Sequence, residues 1–506
     1  MKLFGLQIGK RAVEFPVKQK RGRHPKSMAR DFAAANIDRL TASFTGSSLS
    51  ANEAIRRDLR VIRGRSRTLC MDNDYARKFL QMVKANVIGT NGIQLQCKFT
   101  NERGQADNAD SDYVETEFKQ WAKPRNCSAN GRQSWADIQR QVIETVARDG
   151  ECLVQMIKIP YGRYGLHLRV LECDHLDIEL NRELDGGHKI KMGIESNQFD
   201  RPIAYYLKTK HPGEITLAGR ENKRVPASEI LHIFISDRPG QIRGVPWMHT
   251  AIRRLNMLGG YEMAELIAAR IGASKMGFYT SPDGDGYIPP SKAAKKSHNS
   301  VDSKDQDDYS LIVDAEPGTF EQLPSGMGFT SFDPQHPTSA FADFTKAVLR
   351  GAASGLNVAY NTLANDLEGV NFSSIRSGVL EEREQWRGLQ SWLIEQLHDP
   401  VYQIWIDEFL MRGSNPLPHG KIYSKYNRIA FQPRGWDWVD PLKDTKANAE
   451  GVALGTMTRA DIAAAKGKDL REIFEQLQKE NELAAEYGLT LTNTPTTPEG
   501  LDNAET

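Results

Sequence analysis

The sequence predicts an α+β, multidomain fold organised around long helices, and three observations carry that prediction. A length of 506 residues suggests three or four domains at about 100–200 residues each. The hydrophobic pattern divides into a mixed helix and strand block at roughly 55–245, a long-helix block at 246–412 and a short helical block at 441–506. A composition of 39% hydrophobic and 26% charged residues supplies apolar surface for cores and is too balanced for a disordered chain.

In the first block, Asp72 or Asn73 can cap a helix whose Ala76, Phe79, Leu80, Val83 and Val87 share a face, with Gly89 as its stop. Ser134 and Asp137 form a capping-box pattern ahead of Trp135, Ile138, Val142 and Val146, and Gly150 closes that helix. Strand-like runs follow at Cys152–Ile159, Leu166–Leu171, Ile190–Glu195 and Ile203–Lys208, the last two joined by a hairpin connection at Asn197–Pro202.

The second block opens with helix formers from Trp247 to Ile271. Gly259 and Gly260 in its middle each cost about 1 kcal/mol relative to Ala, which implies a kink or a close backbone contact. Residues 281–309 are polar and aperiodic, and read as a loop or disordered excursion. Short strands are expected at Ser310–Val313 and Thr319–Leu323, with a type II turn at Glu316–Thr319 between them. A further helix starts near Thr338, with Phe341, Phe344, Val348, Ala352 and Gly355 on one face and Asp343, Lys346 and Arg350 opposite. The pattern lapses over Leu363–Phe372. From Ser373 to Arg412 a rod of about 60 Å carries Ile375, Val379, Trp386, Leu393 and Leu397 on one stripe, with a kink expected at Pro400.

The third block has helix starts at Thr458, with Asp461, and at Asp469; the second helix turns Leu470, Ile473, Phe474 and Leu477 inward. Residues 490–506, rich in Thr, Pro, Asn and acid, read as a disordered tail.

Charge is balanced overall, 66 Lys+Arg against 65 Asp+Glu, which argues against a tight, stationary DNA binder. It is nevertheless uneven: residues 1–67 hold 16 Lys/Arg and 5 Asp/Glu, a net of +11, leaving −10 for the rest. The run Lys18–Lys26 reads as a solvated arm, with contact to nucleic acid or an acidic partner as the lesser alternative. Five cysteines, none beyond Cys173, fit a reducing compartment rather than a disulfide scaffold. No apolar run reaches the roughly 18–20 residues of a membrane span, and Leu3–Gly9 is too short for a secretory signal.

Catalytic signatures are missing. The sequence holds no phosphate loop, nucleophile elbow, H-E-x-x-H or C-x-x-C, so neither an ATP-driven nor an acyl-transfer activity has support. Asp283–Gly286 resembles a fragment of a calcium loop but lacks the closing glutamate. Cys173, Asp174 and His175 would alternate across a strand and could not converge on one ion. No enzyme activity, cofactor or metal site is expected.

Three segments are similar to the lambda-type portal proteins of tailed bacteriophages. The first is EILHIFISDRPGQIRGVP at 229–246, leading into WMHTAIRRLNMLGGYEMAELIAARIGASKMGF. The second is PGTFEQLPSGMGFTSFDPQHP at 317–337, with FADFTKAVLRGAASGLNVAYNTLANDLEGVNFSSIRSGVLEERE after it. The third is RGWDWVDPLKD at 434–444. Together they span most of residues 60–490 in the family's order.

The resemblance implies a ring, normally of twelve subunits, at one capsid vertex, through which double-stranded DNA is packed and ejected. It implies a flexible basic arm at 1–55, an α+β wing at 56–246 to which 413–440 return, stem helices at 247–274 and 337–356, and a clip at 275–336 that carries the insertion 281–309. A channel loop and long kinked helix at 357–412 and a crown at 441–489 complete the subunit before the tail at 490–506. Partners would be further copies of the chain, DNA in transit, the terminase large subunit that supplies the motor, capsid and scaffold proteins and head–tail adaptor proteins, without a membrane. The setting would be the virion, and the host cytoplasm during assembly, with the arm open to trimming.

A conduit must let DNA slide, so mixed charge suits it better than a basic groove. Lys346 and Arg350, with Asn371, Ser373, Ser374 and Arg376 beside the loop, are candidates for weak backbone contact; inter-subunit ion pairing of the same charged stripe is the alternative. Small residues at Ala268, Gly272, Gly351, Ala352 and Gly355 are the candidates for tight packing between subunits. A metal-dependent DNA-processing enzyme and another ring-forming neck adaptor are the competing readings.

Overall fold

The computed structural model describes residues 48–489 except 102, 161, 215–220, 274–276, 281–327, 332–339, 369–371, 413–416, 418–422, 437–440, 467 and 469. Most of the arm, the insertion 281–309, the two strands and turn expected within 310–323, Asp469 and the tail lie outside them.

The described chain begins with α1 (Ala51–Asp72), whose buried Leu59, Arg63, Ser66 and Leu69 repeat at helical spacing. Residues 51–55 are therefore the first turn of this helix and not the end of the arm. Six arginines between Arg56 and Arg67 hid the period, because one of them, Arg63, is itself buried. Helix α2 (Asp74–Val83) is capped by Asn73, whose side chain accepts from the Ala76 N–H at 3.0 Å. It widens into a π turn over Lys84–Ile88 and stops at Gly89, with φ of 74°.

Strand β1 (Gln94–Cys97), α3 (Asn108–Trp121) and the short α4 (Pro124–Cys127) lead into α5 (Trp135–Asp149). Ser134 and Asp137 close the expected capping box on α5. Gly150 follows with φ of 92°, and a Cβ there would overlap the backbone of Val245.

Strand β2 (Glu151–Lys158) is central in an antiparallel sheet between β3 (Leu166–Leu171) and β9 (Ile230–Phe234). Its Cys152, Val154 and Met156 enter the main core, while Leu153 joins a second cluster with Leu171, Ile194, Tyr205 and Val225. That second cluster lies against a five-stranded sheet, β4 (Arg182–Glu183), β5 (Lys189–Lys191), β6 (Ile194–Ser196), β7 (Pro202–Lys208) and β8 (Asn222–Pro226), in that order. The run Ile190–Glu195 is thus two strands and not one. Met192 and Gly193, with φ of 46° and 82°, turn the chain back between β5 and β6. The β6–β7 connection is held by Asn197, whose side chain accepts from the N–H groups of Phe199 and Arg201 at 2.9 and 3.0 Å.

Residues 247–251 form turns, and α6 spans Ile252–Ala273, five residues later than the helix formers suggested. It runs through both mid-helix glycines. Among the described residues, nothing lies within 4 Å of a Cβ built on Gly260 and only the Asn73 side chain, at 3.6 Å, approaches Gly259, so neither glycine meets a close backbone contact there. A hairpin of β10 (Gly277–Thr280) and β11 (Gly328–Ser331) follows.

Helix α7 (Phe341–Leu356) buries Leu349, Ala352, Ala353 and Leu356, while Phe344 stays half exposed, so its inward face is rotated from the expected one. The short α8 (Tyr360–Ala364) occupies part of the stretch without period. The rod divides into α9 (Phe372–Leu393), a π turn over Ile394–His398, and α10 (Asp399–Met411). Its irregularity is the π turn. Pro400 sits in the first turn of α10, where its missing N–H costs no hydrogen bond. Trp386, Leu393 and Leu397 are buried as the stripe predicts. Trp405 of α10 meets Phe118 at 5.0 Å and Phe409 at 5.2 Å between ring centres, joining the rod to α3.

After α11 (Tyr423–Tyr426), β12 (Ile429–Gln432) pairs antiparallel with β1, so the chain returns to the first block. Three helices close the described chain: α12 (Pro441–Ala453), α13 (Arg459–Ala465) and α14 (Leu470–Glu486). Thr458 and Asp461 make the capping box of α13. On α14, Leu470, Ile473 and Leu477 are half buried, but Phe474 faces outward.

Candidate nucleic-acid interface and its helical frame

Helices α6 and α7 lie side by side and run in opposite directions. Thr250, just before α6, donates to the Gly355 carbonyl at 2.9 Å; farther along, the Tyr261 ring meets Phe341 and Phe344 at 5.6 and 5.2 Å. Between these points, a Cβ on Gly351 would overlap the Arg254 guanidinium, and one on Gly355 would stand 2.8 Å from the Thr250 hydroxyl. Ala352 is fully buried in the main core. Gly351 and Gly355 therefore lie against Arg254 and Thr250 of the same chain, with Gly355 keeping an exposed edge, while Ala352 is packed inside. Of the other two packing candidates, Ala268 is half buried on α6 and Gly272 lies in its last turn.

The charged stripe of α7 meets the segment that follows it. Lys346 lies 3.7 Å from Asp366 and 3.4 Å from Glu368. Arg350 stacks over the Tyr360 ring at 5.5 Å, and the Tyr360 hydroxyl donates to Asp366 at 2.7 Å. Burial and this carboxylate push the Tyr360 phenol up to about 12, and the phenol hydrogen bond holds Asp366 below the usual carboxylate range. Thr362 ties the same segment to α9 through Glu382, at 3.1 Å. Lys346 and Arg350 thus converge on one loop and retain exposed edges. Ser373, Ser374 and Arg376 occupy the first turns of α9, and Asn371 lies outside the described residues.

A buried ionic network anchors this frame to the α+β block, and the sequence carried little signal for it. Glu151, fully buried at the start of β2, accepts from Arg63 at 2.8 Å, from Arg243 at 2.5–3.0 Å, from His232 at 3.0 Å and from the Gly244 N–H at 2.9 Å. Burial pushes this carboxyl upward, but Arg243, His232 and Arg63 outweigh it and hold Glu151 well below the usual range. Arg67, one turn beyond Arg63, binds both oxygens of buried Asp149 at 2.9 Å. The one legible hint was the four-residue spacing of Arg63 and Arg67, which puts both on one face of α1. Gly244 faces Gly150 so closely that a Cβ would overlap its carbonyl, which fixes the segment leading into α6.

Cys173, Asp174 and His175 lie on a 3₁₀ turn and not on a strand, with Cys173 buried. Asp174 instead groups with Glu172 and His211, at distances that would suit a metal ion. Arg67 hydrogen-bonds Asp174 and lies 3.6 Å from Glu172, while Arg148 lies 3.8 Å from Glu172, so guanidinium groups already balance these carboxylates. The arrangement is an ion-pair cluster continuous with the buried network.

Comparison with known proteins gives the family. The model described as "Phage portal protein, lambda family" matches residues 38–390. A probable portal protein of Halomonas phage phiHAP-1 is 36% identical over 462 residues, covering 90% of this chain and 87% of its own length. Portal protein B of Escherichia phage lambda is 20% identical over 447 residues, 83% of each chain. Among solved structures, the neck of a native gene transfer agent particle computed with C12 symmetry aligns with a TM-score of 0.45 at 14% identity, covering 84% of this chain and 96% of that one. With a family model spanning most of its folded blocks and a close relative along nine-tenths of its length, this chain belongs to the lambda family of phage portal proteins.

Proposed function

We propose that copies of this chain, twelve in the expected assembly, form a ring at one capsid vertex whose opening conducts double-stranded DNA during packaging and ejection. The observation that carries this reading is the match to the lambda portal family across residues 38–390. In this reading the α+β block is the wing, α6 and α7 are the stem, the β10–β11 hairpin belongs to the clip, α9–α10 back the channel loop, and α12–α14 are the crown. The protein acts as a conduit without catalysis. The energy for translocation comes from a separate terminase that docks on the clip, while capsid, scaffold and head–tail adaptor proteins bind elsewhere on the ring. Assembly begins in the host cytoplasm and ends in the virion.

Lys346, Arg350, Asn371, Ser373, Ser374 and Arg376 are proposed to touch the DNA backbone in passing. The Lys346 pairs with Asp366 and Glu368 support a weak, sliding contact, because a lysine already shared with carboxylates releases fewer counterions per phosphate met. Electron microscopy of the purified chain tests the ring: end-on views should show a closed circle of subunits around an opening. Particles lacking any opening would overturn the reading.

A further inference from the structure

The outer edge of β1 faces α3 and α5. Lys98 donates to the Arg428 carbonyl at 2.8 Å, and Gln94–Cys97 pair antiparallel with β12. Alternation along the strand therefore turns the N–H and carbonyl groups of Gln94 and Gln96 toward β12, and those of Ile93, Leu95 and Cys97 away from it. Side chains meet the first and last of these outward residues. Gln139 of α5 accepts from the Ile93 N–H at 2.8 Å and donates to the Ile93 carbonyl at 3.3 Å, and Glu115 of α3 accepts from the Cys97 N–H at 2.7 Å. Leu95, between them, has no hydrogen-bond partner for either backbone group among the described residues. Beside this gap lies a cavity of about 110 Å³, lined by Ile93, Leu95, Phe118, Ala122, Trp135 and Ala136. Trp135 is 4% exposed, and its indole N–H is buried without a partner among the described residues. A mostly apolar cavity is thus bordered by a backbone donor and acceptor and by a second donor, and each such group left unpaired costs about 1–3 kcal/mol.

We infer that this edge is a docking site for an extended peptide segment of a partner protein, one aliphatic residue of which enters the cavity while its backbone pairs with Leu95. The occupant follows from the groups presented. Leu95 offers an N–H and a carbonyl on the same side of a strand, the pair that an added strand matches. An ionised phosphodiester has no donor for the carbonyl, and a lipid chain has neither group. Gln139 and Glu115 already stand in for a neighbouring strand at Ile93 and Cys97, so the pairing is confined to one residue of the segment. A cavity of about 150 Å³ accepts benzene, and one of about 110 Å³ suits the side chain of leucine, isoleucine or valine. The Trp135 N–H supplies a donor for a further carbonyl of the segment. At the mouth, Glu115 and Lys119 carry opposite charges, which gives an anionic ligand such as a nucleic-acid backbone no advantage. The inference does not rest on the ring reading, because every group it uses belongs to the α+β block of one subunit.

The test uses the purified full chain and three fluorescent peptides with blocked ends: Thr-Val-Leu-Val-Thr, the same peptide with glycine at its centre, and the same peptide N-methylated at the leucine. Fluorescence anisotropy should show the leucine peptide binding about tenfold more tightly than either of the others, the loss expected of an unfilled cavity or a missing hydrogen bond. Hydrogen exchange over residues 93–97 should slow when the leucine peptide is bound. Trp135→Phe keeps a ring in the core and removes the N–H, and should weaken the leucine peptide about tenfold. Equal affinity for the three peptides, or unchanged exchange over 93–97 in the bound state, would overturn the inference, and both readouts need only the unmodified chain. Absence of binding at about 1 mM peptide, the range of a 4 kcal/mol contact, would overturn it as well. Exchange over 93–97 that is already slow in an assembled ring and quickens on dissociation would assign the edge to a second copy of this chain, against a partner protein. Slowing by a DNA duplex and not by the peptide would assign it to nucleic acid, with the same consequence.

Discussion

Arg243 and Glu151 meet where neither side chain reaches solvent, with guanidinium nitrogens 2.5–3.0 Å from the carboxylate oxygens. Arg243 lies in the segment that leads to α6, and Glu151 begins the central strand β2, so the pair fastens the entry to α6 onto the α+β block. Removing one partner of a buried pair strands the other charge, at a cost of about 3–5 kcal/mol. Arg243→Met should therefore lower stability by that order in urea unfolding. A change below about 1 kcal/mol would show that the Arg63 charge, with the hydrogen bonds from His232 and the Gly244 N–H, suffices to hold the Glu151 carboxylate.

A second prediction concerns pH. Burial holds the His398 imidazole at about 4, against an ordinary value near 6.5, while its Nδ1 lies 3.3 Å from the Leu393 carbonyl. Below pH 6.5 the unfolded chain takes up a proton that the folded chain refuses, so stability present above pH 6.5 is lost as pH falls toward 4. The loss is about 3 kcal/mol across that window. His398→Phe removes this contribution. Unfolding curves of the two proteins should diverge between pH 6.5 and 4, and parallel curves would contradict the assignment.

A third prediction contrasts glycines. Gly150→Ala and Gly244→Ala place a methyl group into backbone at the same joint, and Gly150 also has φ of 92°. Each should abolish soluble folded protein. Gly260→Ala meets open space on a helix and should raise the melting temperature of the subunit, consistent with about 1 kcal/mol of helix propensity. Reversal of that order would contradict the helical packing described here.

A fourth prediction addresses the candidate DNA contacts. Lys346→Glu with Arg350→Glu places negative charge beside Asp366 and Glu368, and should reduce DNA packaging more at low than at high ionic strength. Packaging unchanged at both would remove these residues from the DNA path.

The sequence was most legible where local chemistry decides the outcome. Asn73, Ser134, Gly150 and Thr458 announced their helix ends because a cap or a left-handed residue acts within one turn. It was least legible where distant segments decide. The buried arginine of α1 looks like a surface charge until Glu151 is placed beside it, 88 positions later. Gly351 and Gly355 were readable as sites of close approach, but the identity of the approaching helix depends on how α6 folds back. The division of Ile190–Glu195 into two strands rests on a positive φ at Met192, a non-glycine residue whose side chain gives no warning of it. As for the candidate DNA contacts, spacing put Lys346 and Arg350 on one stripe, yet their partners Asp366, Glu368 and Tyr360 come from a stretch with no periodic pattern.

The most direct measurement is a count of subunits in end-on electron micrographs of the purified full chain. Closed rings are expected, with α6 and α7 of every copy surrounding an opening wide enough for a DNA duplex. Isolated single subunits, or assemblies whose paired helices surround no opening, would contradict the ring reading.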